Sequence, residues 1–303
     1  MVCTGTTRSH DEAVRSRVPA PGLVLLSVVG IQAGHACGKM LFDVAGPAGV
    51  VAMRVGFTAL VLLAVCRPRL PRDGRTAALV VGFGLALAGV NTIYLAMATL
   101  PIGAAVTIQF LGPLTLALAG SRRIADLVWA LLAGTGVYLF FGTGPDDLSV
   151  GGVLLALVSG ACWAAYIVLN KRAGARAADG SLLALATAVA ALLVVPVGLV
   201  DAGPVLFQPG VLAAGLGVAL LSAIVPYLLD LRALRRMSAR AFGVLMSLEP
   251  VLGGLAGLAL LDEQLRATQW LAIACVSIAS VGVVTRKDQR PSPPVVTPKC
   301  ARR

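Results

Sequence analysis

The chain has 303 residues, of which 58% are hydrophobic and only 13% charged, and its mean hydropathy is +0.89. A water-soluble domain carries about a quarter charged residues, so a soluble globular enzyme is excluded. The formal net charge of +11 sits in short clusters between apolar blocks, with no interleaved aromatic platform, which argues against a nucleic-acid partner.

Residues 1–20 carry Arg8, Arg15 and Arg17 without an apolar core, which predicts a cytoplasmic N-terminal segment. The next block is too long for a signal-peptide core, has no clean small-residue cleavage site and contains Lys39, so it is expected to stay as the first helix. Crossing the hydrocarbon takes roughly 20 mostly apolar residues as a helix. Blocks of that kind recur at 22–44, 47–66, 76–98, 101–120, 125–143, 150–171, 181–200, 210–231, 239–261 and 268–285. They predict an all-α polytopic membrane protein of about ten transmembrane helices. Residues 287–303 are basic and proline-rich and are expected to form a disordered tail. Six cysteines are scattered without metal-ligand or disulfide spacing, and no cofactor or metal motif occurs.

Charge predicts the topology. With a cytoplasmic N-terminus, the inner loops hold Arg67, Arg69, Arg72, Arg75, Arg122, Arg123, Lys171, Arg172, Arg176, Arg232, Arg235, Arg236 and Arg240. The outer loops then hold Arg266 beside Asp146, Asp147, Asp201, Asp262 and Glu263. Lysine and arginine near membrane ends face the cytoplasm, which puts both termini inside and gives the bilayer an anionic-lipid contact. The sequence leaves a homodimer open.

Residues 98–114, ATLPIGAAVTIQFLGPL, parallel residues 235–251, RRMSARAFGVLMSLEPV, with Pro113 and Pro250 in register. A short charged loop and a tryptophan-bearing helix (Trp129, Trp270) follow each. This predicts two five-helix repeats, 21–145 and 146–286. Five is odd, so the second half is inverted, an arrangement typical of secondary transporters with a midplane site. An enzyme, a channel or an ATP-driven pump has no need of it, and no catalytic or phosphate-binding motif is present.

These motifs carry a family resemblance. FLGPL and SLEPVLGGLAGLALLDE resemble the drug/metabolite transporter superfamily, in its EamA-type branch. HACGKMLF, GAAVTIQFLGPL and VPYLLDLRALRRMSARAFGVLMSLEP resemble the inner-membrane threonine/homoserine exporter subgroup, over roughly residues 20–285. The resemblance implies proton-coupled export of small amino acids or related metabolites. Gln109 and Asp230 depart from it, each standing where the family pattern has glutamate.

The residues with chemistry begin in the first helix, at GIQAGHACGKMLFDV (residues 30–44). Helical residues turn by about 100° each, so Gln32, His35, Lys39 and Asp43 are expected on one face and Gly30, Gly34 and Gly38 nearly opposite. The glycine face suits close helix packing. The polar stripe cannot face lipid, where a central charge costs about 2.5–3.5 kcal/mol, and is expected to border a hydrated cavity. Lys39 either contacts substrate or pairs with Asp43. His35 is a packing group or a proton carrier. Arg54, at similar depth to Lys39, either joins it in holding a carboxylate or neutralises Asp43.

Glu249 is expected mid-helix before Pro250, where desolvation suits it to exchange protons. It alternatively receives the substrate's ammonium or pairs permanently with Arg54 or Lys39. Gln109 is expected at matching depth as a neutral substrate hydrogen-bonder. Asn91 and Tyr94 in the third helix and Tyr227 and Asp230 in the eighth are inverted counterparts, read as gates or as interfacial tyrosine belts. Export of drugs or small cations is the alternative within the class; it calls for an aromatic cage, and aromatics make up only 5% of the chain.

Overall fold

A computed structural model of the chain describes residues 18–119, 125–140, 149–177 and 180–286. The predicted cytoplasmic N-terminal segment up to residue 17, the tail 287–303 and the loop charges Arg122, Arg123, Asp146 and Asp147 lie outside the described residues. Among those described, nine helical spans are long and apolar enough to cross a membrane, and a shorter apolar helix, Leu127–Phe140, joins them. The protein is an all-α polytopic membrane protein. In lipid only helices or closed barrels satisfy every backbone donor and acceptor, and uninterrupted apolar runs of this length favour helices.

The first two spans are α1 (Ala20–Met40) and α2 (Phe42–Cys66); the third is α3 (Gly74–Val90) with α4 (Thr92–Met97). The fourth and fifth are α5 (Ile102–Ala119) and α6 (Ala125–Phe140). The sixth and seventh are α7 (Val150–Arg176) and α8 (Ser181–Ala202). The eighth joins α9 (Pro209–Ala219), a π-helical turn (Leu220–Ile224) and α10 (Val225–Leu234). The ninth is α11 (Ala239–Met246) with α12 (Glu249–Leu261), and α13 (Ala267–Arg286) completes the bundle.

Packing partners recur in matching pairs. α3 packs on α7 as α10 packs on α1, and α5 packs on α7 as α12 packs on α1. The pairs α2 with α8, α5 with α12, and α6 with α13 also pack together. Glycines set the closest crossings. A Cβ on Gly112 would stand 1.8 Å from the Gly160 carbonyl oxygen, so α5 and α7 meet backbone to backbone.

Two expectations are corrected. α1 ends at Met40 and a new helix starts at Phe42, so the polar stripe stops at Lys39. Asp43 lies exposed in the first turn of α2 and pairs with neither Lys39 nor Arg54. The helical spacing does not run across the turn at Leu41, and farther on Gly46 (φ 64°, ψ 162°) and Pro47 redirect the chain into the second span. Nor is Glu249 mid-helix. It is the first residue of α12, after a break at Ser247 and Leu248. Pro250 has no N–H for the Met246 carbonyl, so an α-helix cannot run through. The Ser247 hydroxyl instead meets Ser280 at 2.6 Å and the Gly243 carbonyl at 3.0 Å.

Candidate functional site

The third and eighth spans are interrupted where polar residues sit. At Asn91 the helix tightens, with its N–H on the Ala88 carbonyl at 3.1 Å and its side-chain amide on the Leu87 carbonyl at 2.7 Å. In the eighth span Pro226 has no N–H to give Ser222 four residues back, and the chain forms a π-turn there. π-Turns concentrate at functional sites because they leave backbone groups available.

Arg54 of α2 uses both breaks. Its Nε donates to Ser222 Oγ at 2.7 Å and its Nη2 to the Ser222 carbonyl at 3.1 Å, while Nη1 donates to Asn91 Oδ1. The guanidinium carbon lies 5.5 Å from the centre of the Tyr94 ring, a cation–π contact. Tyr94 is fully buried, its hydroxyl 3.5 Å from Ser222 Oγ. Every partner of Arg54 is neutral. Among the described residues no carboxylate comes within ion-pair distance of it.

The network continues into α1. His35 meets Tyr94 edge-on, ring centres 5.3 Å apart, and its Nδ1 lies 3.2 Å from Gln32 Oε1. Gln32 is 1% exposed, and its Nε2 has no hydrogen-bond partner. Its Oε1 would lie 3.2 Å from a Cβ on Gly253, so a side chain at 253 would press Gln32 back by a few tenths of an ångström. The glycine face of α1 serves close packing as expected: Gly34 sits on Ser222 and Gly38 on Tyr94, where a Cβ would come within 2.6 and 2.7 Å.

A second pole is acidic. α10 and α12 both pack on α1, which brings Asp230 within electrostatic reach of Glu249. Glu249 is 5% exposed and makes no ion pair among the described residues, and Asp230 Oδ1 is buried without a hydrogen-bond partner. The permanent pairing of Glu249 with Arg54 or Lys39 is absent.

The remaining candidates lie elsewhere. Lys39 does not join Arg54; its ammonium is held by Glu263 at 2.7 Å and the Leu100 carbonyl at 2.8 Å. Gln109 donates to Ser159 Oγ at 2.8 Å, and Ser159 to the Val90 carbonyl at 2.6 Å. That fixes Gln109 in the α5–α7–α3 interface. Tyr227 packs with the cluster around Phe83 and Ala186 rather than with the network. Of the four gate candidates, Asn91 and Tyr94 therefore join Arg54 and Asp230 joins Glu249.

Sequence reasoning passed over Ser222, Ser159 and Glu263. For Ser222 a signal existed: a serine four residues before a proline inside an apolar block has a carbonyl the helix cannot use. Glu263 was read only as a loop charge, and nothing local marks Ser159 as the partner of Gln109.

A model of the EamA-like transporter family matches residues 150–285. The threonine/homoserine exporter RhtA of Salmonella typhimurium (strain LT2) is 39% identical over 266 residues, 86% of this chain and 89% of the exporter. RhtA of Escherichia coli (strain K12) is 38% identical over 276 residues, 88% of this chain and 92% of that protein. A crystal structure 22% identical in sequence aligns over 89% of this chain and 97% of its own at a TM-score of 0.55, and shares the fold. With helix breaks around a buried polar network and this identity along most of its length, the chain belongs to the EamA-like transporter family, within the drug/metabolite transporter superfamily, and is a transporter rather than an enzyme.

Proposed function

We propose that the protein is a secondary active exporter of small amino acids resembling threonine and homoserine, driven by protons and working by alternating access. The observation that carries this is Arg54. Its planar fork is positioned by neutral acceptors from two broken helices, and among the described residues its positive charge has no counter-ion. A half-buried cation without an anion is left incompletely compensated, and the α-carboxylate of an amino acid supplies that anion in bidentate geometry. The carboxyls of Glu249 and Asp230, on α12 and α10 where each packs against α1, supply the proton site in this reading. Tyr94, His35 and Gln32 extend the Arg54 network toward α12.

Alternating access is supported by the packing pairs, which recur when the first five spans are exchanged with the last five, as two related repeats would make them. The one-sided basic loops support an inner-membrane protein with both termini in the cytoplasm. A groove rimmed by Arg75, Arg172 and Arg176, with Leu79 and Leu169 in its wall, suits the anionic lipid of that leaflet.

The test is threonine uptake into inverted vesicles with and without a protonophore. Collapse of uptake on protonophore addition is expected, and uptake that ignores it removes the proton coupling. In Glu249→Gln, gradient-driven uptake should fall about 100-fold, the scale of losing an essential proton carrier, while threonine counterflow persists. Full gradient-driven activity in that variant eliminates the role of Glu249. The unpaired acids favour a second reading, export of small cationic metabolites. It requires Arg54→Ala to keep transporting a carboxylate-free amine and to show no preference for amino acids.

A further inference from the structure

Lys39 closes α1, and Glu263 stands in the loop between α12 and α13. Their side chains meet in an ion pair at 2.7 Å. Each carboxylate oxygen has its own donor. Oε1 takes the Lys39 ammonium, and Oε2 takes the Ile102 N–H at 2.8 Å. Lys39 gives a further hydrogen to the Leu100 carbonyl at 2.8 Å. One cation and one directed N–H, presented to the two oxygens of a carboxylate, form the donor set that an amino-acid carboxylate needs.

Glu263 reaches that position by special means. Asp262 before it adopts a left-handed conformation (φ 53°), and the Glu263 N–H closes on the Gly257 carbonyl at 3.1 Å. A Cβ on Gly257 would stand 2.3 Å from Glu263 Oε2, so a side chain at 257 would displace the carboxylate. The side chains of Lys39 and Glu263 remain 22% and 13% exposed, so the pair lies at a rim where either partner can leave for water.

We propose that Lys39 and the Ile102 N–H form a carboxylate subsite on the outer, release side of the transport path, and that Glu263 fills it in this closed state as a tethered stand-in for the substrate. The inference rests on the amino-acid export reading. When the loop swings away, Lys39 receives the carboxylate of the departing amino acid. When Glu263 returns, it displaces that carboxylate. The tethered competitor keeps affinity low on the side where an exporter must let go.

The experiment is binding of L-threonine and of threoninol, which has the amine and hydroxyl but no carboxylate, to the purified full-length protein. Glu263→Gln keeps the shape and the acceptor for Ile102 while removing the charge. It is expected to bind threonine about tenfold tighter, the order of effect of removing a competing charge, with no gain for threoninol. The gain should vanish in the Lys39→Met/Glu263→Gln double variant. Gly257→Ala, which dislodges Glu263 without touching either charge, should show a similar gain and replaces Glu263→Gln if that variant is poorly folded. Unchanged threonine affinity in both variants, or an equal gain for threoninol, makes the pair a structural clamp and overturns the subsite. Wild-type protein that neither binds nor exports threonine overturns the amino-acid reading and the subsite with it. The wild-type arm tells that failure apart from the first.

Discussion

Replacing Arg54 by alanine is expected to lower amino-acid export about 100-fold or more, the scale of roughly 3 kcal/mol for deleting the buried partner of a bound carboxylate. Its neighbours make the expectation specific. Ser222 and Asn91 position the guanidinium through neutral hydrogen bonds, so alanine at 54 removes the site's charge without stranding an opposite charge in the protein. The chain should therefore fold and insert normally. Arg54→Lys keeps the charge but offers a point in place of a fork, and is expected to retain about a tenth of the activity. Ser222→Ala removes one acceptor while the Ser222 carbonyl remains, and its loss should be the smallest of the three. The check is initial export rate against substrate concentration in proteoliposomes, with the amount of inserted protein measured in parallel. Wild-type rates in Arg54→Ala at equal insertion would remove Arg54 from the substrate path.

Gly112→Ala is expected to disrupt the fold more than any single loss from the polar network. The added Cβ would lie 1.8 Å from the Gly160 oxygen and 2.3 Å from its carbonyl carbon, both backbone atoms that cannot rotate aside. α5 and α7 would have to part, and with them the Gln109–Ser159–Val90 chain of hydrogen bonds that ties both helices to α3. Overpacking of this kind costs about 1–3 kcal/mol or more. Gly82→Ala is the control, since a Cβ there meets nothing within 4 Å. Thermal unfolding of the purified variants should show a large drop for Gly112→Ala and little change for Gly82→Ala. Equal stability would mean that α5 and α7 do not cross backbone to backbone at Gly112 and Gly160.

The spans themselves were legible in the amino-acid order, because an apolar run of about 20 residues has few options in lipid other than a helix. The glycine face of α1 was legible for the same local reason: Gly30, Gly34 and Gly38 recur at helical spacing, and their packing on Leu221, Ser222 and Tyr94 needs only that spacing. That Gln32, His35 and Glu249 turn away from lipid was legible too, since polar groups in an apolar helix must turn inward, but Gln32 and His35 pack against protein rather than the expected hydrated cavity. Partners were not legible. Lys39 was weighed against Asp43, four residues away, and found Glu263, 224 residues away. The reason is that the chain breaks at Leu41 and the α12–α13 loop folds over the end of α1. Gln109 and Glu249, matched by depth in the repeat, were separated because depth sets height along the membrane normal and not the direction a side chain faces. Arg54 shows the division most clearly. Its charge and rough depth follow from local order, but its neutral partners come from spans three and eight, and only the packing of α2 between them left that charge without an anion among the described residues.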